Sequence, residues 1–228
     1  MSLDFLGDLR RLLVQPGELL DSADRGRPLI EGAAFFGLSI ALSVAIAEIG
    51  ALAPFRSATG LGASFPLAPQ YDLQGDPRFQ DNRFLYSIDV AVVAILFWLS
   101  AAFLVHAFAR GLLGRGSFSG YLKLVGFIAA LNLLLLPFYL LETALRFSTA
   151  DSARDLVGSG LVVLEAALLG WQLFLLVVAA RIHYRLNTAG AAAAVSMSVA
   201  TALLAGCALL LVLMLWVAII LAKLAWPG

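Results

Sequence analysis

The sequence predicts an all-α integral membrane protein, a bundle of five transmembrane helices with a short amphipathic helix before it. Three observations predict this class. Of the 228 residues, 61% are hydrophobic and only 13% are charged, and mean hydropathy is +0.94. Soluble domains carry about 25% charged and about 45–50% apolar residues, so a water-soluble fold of this size lacks the interior to hide these side chains. Several apolar runs also reach the roughly 20 residues a helix needs to cross a bilayer core.

The spans are read at about 29–53, 85–109, 121–145, 157–180 and 190–222. The first is interrupted by Glu48 and the fourth by Glu165; in the second, Val90 to Ala109 carries no charge beyond what His106 holds. Leu186 to Ala222 is uncharged throughout and has no turn signal after Gly190, so it reads as one helix. At about 1.5 Å per residue it overshoots the bilayer, which predicts tilt or extension into the headgroups. Residues 29–228 thus form the transmembrane domain, and residues 1–28 an N-terminal segment. In that segment Leu3, Phe5, Leu6, Leu9, Leu12 and Leu13 share one side of a helix, with Asp4, Asp8 and Arg11 elsewhere. Such a helix lies in the headgroup plane or packs on the end of the bundle. Pro16-Gly17 ends it.

Between the first two spans, Gly60, Gly62, Pro66, Pro69, Gly75 and Pro77 predict an irregular loop, with Phe65, Tyr71 and Phe79 suited to the membrane interface. Ala51-Leu52-Ala53 imitates a signal-peptidase site. Pro54 directly after it, and the long segment of mixed charge before the run, argue for a retained first helix.

Orientation follows from basic residues in the loops. With the N-terminus inside, the inner side holds Arg10, Arg11, Arg25, Arg27, Arg110, Arg115, Lys123, Arg181 and Arg185, and the outer side Arg56, Arg78, Arg83, Arg146, Arg154 and Lys223. Nine against six predicts a cytoplasmic N-terminus and a periplasmic C-terminus.

Fifteen basic and fifteen acidic residues cancel, which leaves no basic field for nucleic acid. The single cysteine, Cys207, rules out an intrachain disulfide and a cysteine metal cluster, and reads as packed filler in an apolar run. His106 and His183 are expected to have no close carboxylate partner and make a weak metal site. No nucleophile elbow, P-loop or histidine-centred catalytic pattern is readable, and the glycines of Gly111-Leu112-Leu113-Gly114-Arg115-Gly116 read as turn formers. The expectation is a protein with no enzymatic activity, cofactor or metal.

The most informative constellation is acidic. Glu48, Asp89, Glu142 and Glu165 all fall in the outer half of the bundle, with Gln172 two turns from Glu165 on the same face. A carboxylate at mid-membrane costs about 3 kcal/mol on insertion scales, so such residues face the bundle interior or pair with a base. One reading is a proton- or cation-responsive polar site; the other is structural pairing, with Arg83, Arg146 and Arg154 on the same side. Small residues recur every fourth position at Gly190, Ala194, Ser198, Ala202 and Gly206, and again at Gly37, Ala41 and Ala45. In lipid such stripes let helix backbones approach, within the bundle or against a partner. The far half of the fifth span, Leu209 to Leu221, is almost wholly large and aliphatic, suited to lipid or another subunit, and Trp216 and Trp226 suit an interface belt.

Three places carry a resemblance. Arg11-Leu12-Leu13-Val14-Gln15-Pro16-Gly17-Glu18-Leu19-Leu20 precedes Arg27-Pro28-Leu29-Ile30 at the first span. Gly114-Arg115-Gly116-Ser117-Phe118-Ser119-Gly120-Tyr121 leads to Gly126-Phe127 in the third. Trp171 in the fourth is followed by an Arg-bearing turn and a long alanine-rich fifth span. In outline, across most of the chain, this resembles the bacterial branch of the Yip1 family, whose eukaryotic members are five-span proteins of early secretory membranes. One departure is that the family's proline shortly after the third-span glycine is replaced here by Ala129-Ala130-Leu131-Asn132, with the proline delayed to Pro137. The resemblance implies a non-enzymatic protein of a bacterial cytoplasmic membrane. The expected function is a scaffold or accessory subunit whose partners are the lipid bilayer and other membrane proteins or further copies of itself. The alternative is a small transporter or lipid-handling permease that uses the intramembrane carboxylates.

Overall fold

A computed structural model describes residues 5–51, 83–146 and 151–225. All regular structure among them is helical, and five helices are long and apolar enough to cross a membrane. The chain runs through α1 (Phe5–Val14), α2 (Pro16–Gly26), α3 (Leu29–Ala51), α4 (Arg83–Gly111) and α5 (Phe118–Ala129). A 3₁₀ turn (Ala130–Leu135) then leads to α6 (Leu136–Arg146), α7 (Asp151–Tyr184) and α8 (Thr188–Ala225). The segment 52–82, which includes Pro54 to Gln80, lies outside the described residues, as do Leu3 and Trp226.

The third span is the axis of the bundle and the most buried of the five. Its α5 half packs against α3, α4 and α7, while α6 packs against α3 and α7. It is not the single helix its apolar run suggests. Pro137 has no N–H to give the carbonyl four residues back, and its ring crowds that carbonyl. The helix tightens to 3₁₀ geometry just before the proline, which pairs the carbonyls internally at a depth where lipid offers no donor. Pro137 then falls in the first turn of α6, where a missing N–H costs little. Ser117 starts the span as N-cap, its hydroxyl accepting from the Gly120 N–H at 3.2 Å.

Pro16-Gly17 ends α1, as expected, but also begins a second N-terminal helix where the Pro-Gly pair alone predicts a break. Pro16 occupies the first turn of α2, and Leu19, Leu20 and Ala23 bury its inner face. α2 lies against α7 and α5, and α1 lies on α2 and reaches along the bundle to the 3₁₀ turn. The apolar set of α1 is divided. Leu9 and Leu12 enter the core, while Leu6 and Leu13 face outward. Asp8, expected on the polar side, is buried with them. The end of the bundle that carries α1, α2 and the turns before α5 and α8 is called proximal below, and the opposite end distal.

α3 crosses α5 at backbone contact. A Cβ built on Gly126 would stand 2.3 Å from the Gly32 carbonyl oxygen, and one on Gly32 would stand 2.3 Å from that of Lys123. The two backbones touch, which only glycine permits. Internal packing expected of Gly37, Ala41 and Ala45 falls to Gly32 instead, because that stripe faces outward and a Cβ on Gly37 meets nothing within 4 Å. On α8 the stripe divides. Gly190 is half-buried and Ala194 and Ser198 are buried between α4 and α7, whereas Ala202 and Gly206 are exposed. Cys207 is exposed as well, facing outward rather than filling a packed site.

Gly126→Ala is expected to lower stability by about 1–3 kcal/mol, the usual effect of overpacking a close contact. Gly37→Ala should stay within about 0.5 kcal/mol of the parent. Denaturant titration in detergent micelles, followed by circular dichroism, measures both; equal effects would show that no tight crossing exists at Gly32 and Gly126.

Candidate functional site

The polar groups inside the bundle form two sets. The first lies midway along α7, where Glu165 is 8% exposed. The Tyr139 hydroxyl on α6 donates to Glu165 Oε1 at 2.5 Å. Two turns further along α7, Gln172 Nε2 donates to Asn132 Oδ1 in the 3₁₀ turn at 2.8 Å. Asn132 and Tyr139 are seven residues apart, as are Glu165 and Gln172, so two antiparallel segments bring equal polar spacings together as two rungs. Thr143, one turn beyond Tyr139 on α6, is also buried.

Magnitudes decide what this set does at rest. Inserting a mid-membrane carboxylate costs about 3 kcal/mol. A hydrogen bond to a charged group contributes about 1.5–3 kcal/mol. The tyrosine therefore offsets half or more of the cost of burying Glu165 without any base or ligand. Glu165 and Gln172, singled out together from the sequence, belong to different rungs, and each is joined to the third span. Glu142 is half-buried and makes an interaction of its own. Glu48 and Asp89 lie on helical backbone, but their side chains are outside the described set, as are those of Arg83, Arg146 and Arg154.

The second set is at the proximal end and was not anticipated. Arg27 forks onto Asp8 through both terminal nitrogens, with Nη2 donating to Oδ1 at 2.9 Å, and Nη1 also lies 3.6 Å from Glu31 Oε2. Its guanidinium carbon stands 5.3 Å from the centre of the Phe127 ring. The Asp8 hydrogen bond holds the Arg27 pKa above its ordinary value, with burial opposing and the charges of Asp8 and Glu31 assisting. Lys123, buried on α5, donates to the carbonyls of Asp24 at 3.0 Å and Arg27 at 2.9 Å. An ammonium there satisfies carbonyls left over at the C-terminus of α2 and complements its dipole.

His183 completes this set. It lies in the last turn of α7, with Nδ1 2.6 Å from Asp24 Oδ1 and Nε2 2.8 Å from the Ser117 carbonyl oxygen. The expectation of a histidine without a carboxylate is corrected, because the partner comes from α2, which the sequence reading did not contain. Both ring nitrogens thus lie within hydrogen-bond distance of an oxygen. His106, by contrast, pairs through Nδ1 with the Tyr184 hydroxyl at 2.9 Å. Among the described residues no three histidine, cysteine or acidic side chains gather to hold a metal.

Two glycines, Gly116 in the loop before α5 and Gly120 in the first turn of α5, pack against His183. A Cβ on Gly116 would stand 2.4 Å from His183 Cδ2, and one on Gly120 would stand 2.2 Å from Cε1. They clasp the imidazole, and the left-handed turn residue is Leu113, at φ 65°. The signal that could have found this set is the charge on Asp8, Arg27, Glu31 and Lys123 at the margins of apolar runs. Charges there stay buried only when they meet one another.

Asp8→Ala should destabilise the protein by an amount on the order of 3 kcal/mol, because Arg27 loses its main partner, and adding Arg27→Met should recover part of the loss. Tyr139→Phe should cost about 1–3 kcal/mol by leaving Glu165 without its donor. Glu165→Gln, which still offers the tyrosine an acceptor, should cost less. The same micelle titrations measure all four variants; no loss in either Asp8→Ala or Tyr139→Phe would dismiss the corresponding set. Comparison with protein-family models, with curated proteins and with solved structures returned no match for this chain.

Proposed function

We propose that this chain is a non-enzymatic, Yip1-like scaffold or accessory subunit of a bacterial cytoplasmic membrane, acting through helix-to-helix contacts with another membrane protein or a further copy of itself. The observation that carries the proposal is the distal half of α8. From Ala202 to Leu209 eight consecutive residues are exposed, so no face of the helix is buried there among the described residues. Beyond them Leu211, Val212, Met214, Leu215 and Trp216 are exposed too. Ala202, Ala205, Gly206 and Ala208 give this stretch the small side chains that let a second helix approach. The distribution of basic residues supports a cytoplasmic N-terminus and a periplasmic C-terminus.

A photo-crosslinking residue at Leu204 in native membranes should give an adduct larger than the 24.2 kDa chain. The same residue at Val163, exposed on α7, should give none. No adduct from Leu204, or equal adducts from both, would count against the reading.

One observation favours the permease alternative. The third span is broken beside the two polar rungs, and interrupted helices at mid-depth are where transporters place their binding sites. Solute flux into proteoliposomes that disappears in Glu165→Gln, while the helical spectrum and melting point hold, would replace the scaffold reading with this one.

A further inference from the structure

Charge is distributed unevenly between the ends of the molecule. From Val90 to Leu141, and again from Ala166 to Gly228, the chain contains no acidic residue. Both proximal turns, before α5 and before α8, are therefore basic only. Arg110, Arg115 and Arg185 are all exposed, and none makes an ion pair among the described residues. Backbone geometry gathers them around Tyr184. The Arg115 N–H donates to the Tyr184 carbonyl at 3.1 Å, which sets Arg115 beside Arg185. Arg110 Nη1 donates to the Gly114 carbonyl at 3.1 Å, and its charge acts on Tyr184. Three like charges held together this way repel one another unless an anion lies between them.

The turn before α5 adds an apolar element. Its glycine is committed to packing, since a Cβ on Gly114 would stand 2.7 Å from the Ala109 carbonyl oxygen and 2.9 Å from Tyr184 Cβ. The left-handed position falls on Leu113 instead, at φ 65°, a conformation that disfavours a branched side chain. Leu113 is 88% exposed and Leu112 is 40% exposed. At the end of a membrane bundle, two outward leucines beside three guanidinium groups that have no ion pair among the described residues match the boundary between acyl chains and headgroups.

We infer that Arg110, Arg115 and Arg185, with Leu112 and Leu113, form a binding site for the phosphodiester headgroup of an anionic phospholipid. The guanidinium forks meet phosphate oxygens in two-point contacts, and the leucines enter the first carbons of the acyl chains. A free aqueous phosphate would use the arginines but leave the leucines without a purpose. The site stands at the proximal end, away from the distal half of α8, and does not depend on how the scaffold and permease readings are resolved.

Native mass spectrometry of the purified protein, offered phosphatidylglycerol and phosphatidylcholine in equal amounts, tests the site. The parent should retain phosphatidylglycerol preferentially. Each arginine near an anionic surface contributes about fivefold, so the triple variant Arg110→Gln, Arg115→Gln, Arg185→Gln should lose about a hundredfold in that preference. The double variant Arg115→Gln, Arg185→Gln leaves the Arg110 contact to Gly114 intact and should lose about twenty-five-fold. Leu113→Ser should weaken retention of phosphatidylglycerol with all three arginines present. Undiminished preference in the double variant would overturn the proposal. So would displacement of the lipid by inorganic phosphate together with indifference to Leu113→Ser, an outcome that describes an aqueous anion site.

Discussion

Hydrocarbon supplies neither donors nor acceptors, and the interior of this bundle is arranged around that lack. A polar atom within a span must find its partner in the same chain or carry a cost of several kcal/mol. Tyr139 and Glu165, Asn132 and Gln172, and the 3₁₀ carbonyls before Pro137 meet the requirement at mid-depth. Arg27, Asp8, Glu31 and Lys123 meet it at the proximal end, where the chain still has access to charge. The third span takes part in both sets, so the most buried helix also carries the most polar obligations. Its closeness to α3, through Gly32 and Gly126, places Lys123 within reach of the α2 carbonyls.

The five spans were legible because length and apolarity alone decide them; a run such as Leu186 to Ala222 has few other stable solutions. Glu165 was legible for the converse reason, a carboxylate in the middle of such a run. Its partner was not, because Tyr139 is an unremarkable residue until the antiparallel pairing of two helices is known. The equal seven-residue spacings are visible only after that pairing is assumed. α2 was missed because Pro16-Gly17 carries two opposite meanings, stop for one helix and first turn of the next, and only burial of Leu19, Leu20 and Ala23 selects the second. With α2 absent from the reading, Asp24 had no place and His183 had no partner. The small-residue stripes show a different limit. Periodicity finds the stripe but not the side of the helix that faces in, and on α3 the decisive glycine, Gly32, stands outside the repeat.

The two ends of the molecule therefore differ in how firmly they are tied. At the proximal end charge pairs, a helix cap and a clasped imidazole join α1, α2, α3, α5 and α7 into one body. Opening it means separating several ion pairs together, so the N-terminal helix pair belongs to the fold rather than resting loosely on it. Distally, α8 stays exposed from Ala202 to Leu209, with no face buried among the described residues. At about 1.5 Å per residue its 38 residues are far longer than the roughly 30 Å hydrocarbon core. Selection for stability of this chain alone would favour a shorter helix or one folded back on the bundle. A long apolar helix with exposed small residues on it suits a surface completed by another molecule.

The balance at Glu165 bears on the same question from inside. A carboxylate that depends on a cation or a substrate to lower its cost stays strained until the ligand arrives, and that strain is the means by which a transporter couples binding to movement. In this chain a tyrosine already supplies an amount comparable with the cost of insertion, and the neighbouring amides satisfy each other. A ligand would have to displace the Tyr139 bond and offer more than it does. Glu165 and Gln172 are thus partnered without any guest, whereas the exposed apolar surface lies on the outside, along α8 and at the arginine turns. The interior carboxylate and amides are partnered already, the Trp98 and Trp171 indole N–H groups are buried without an acceptor among the described residues, and the apolar surface of α8 stays exposed.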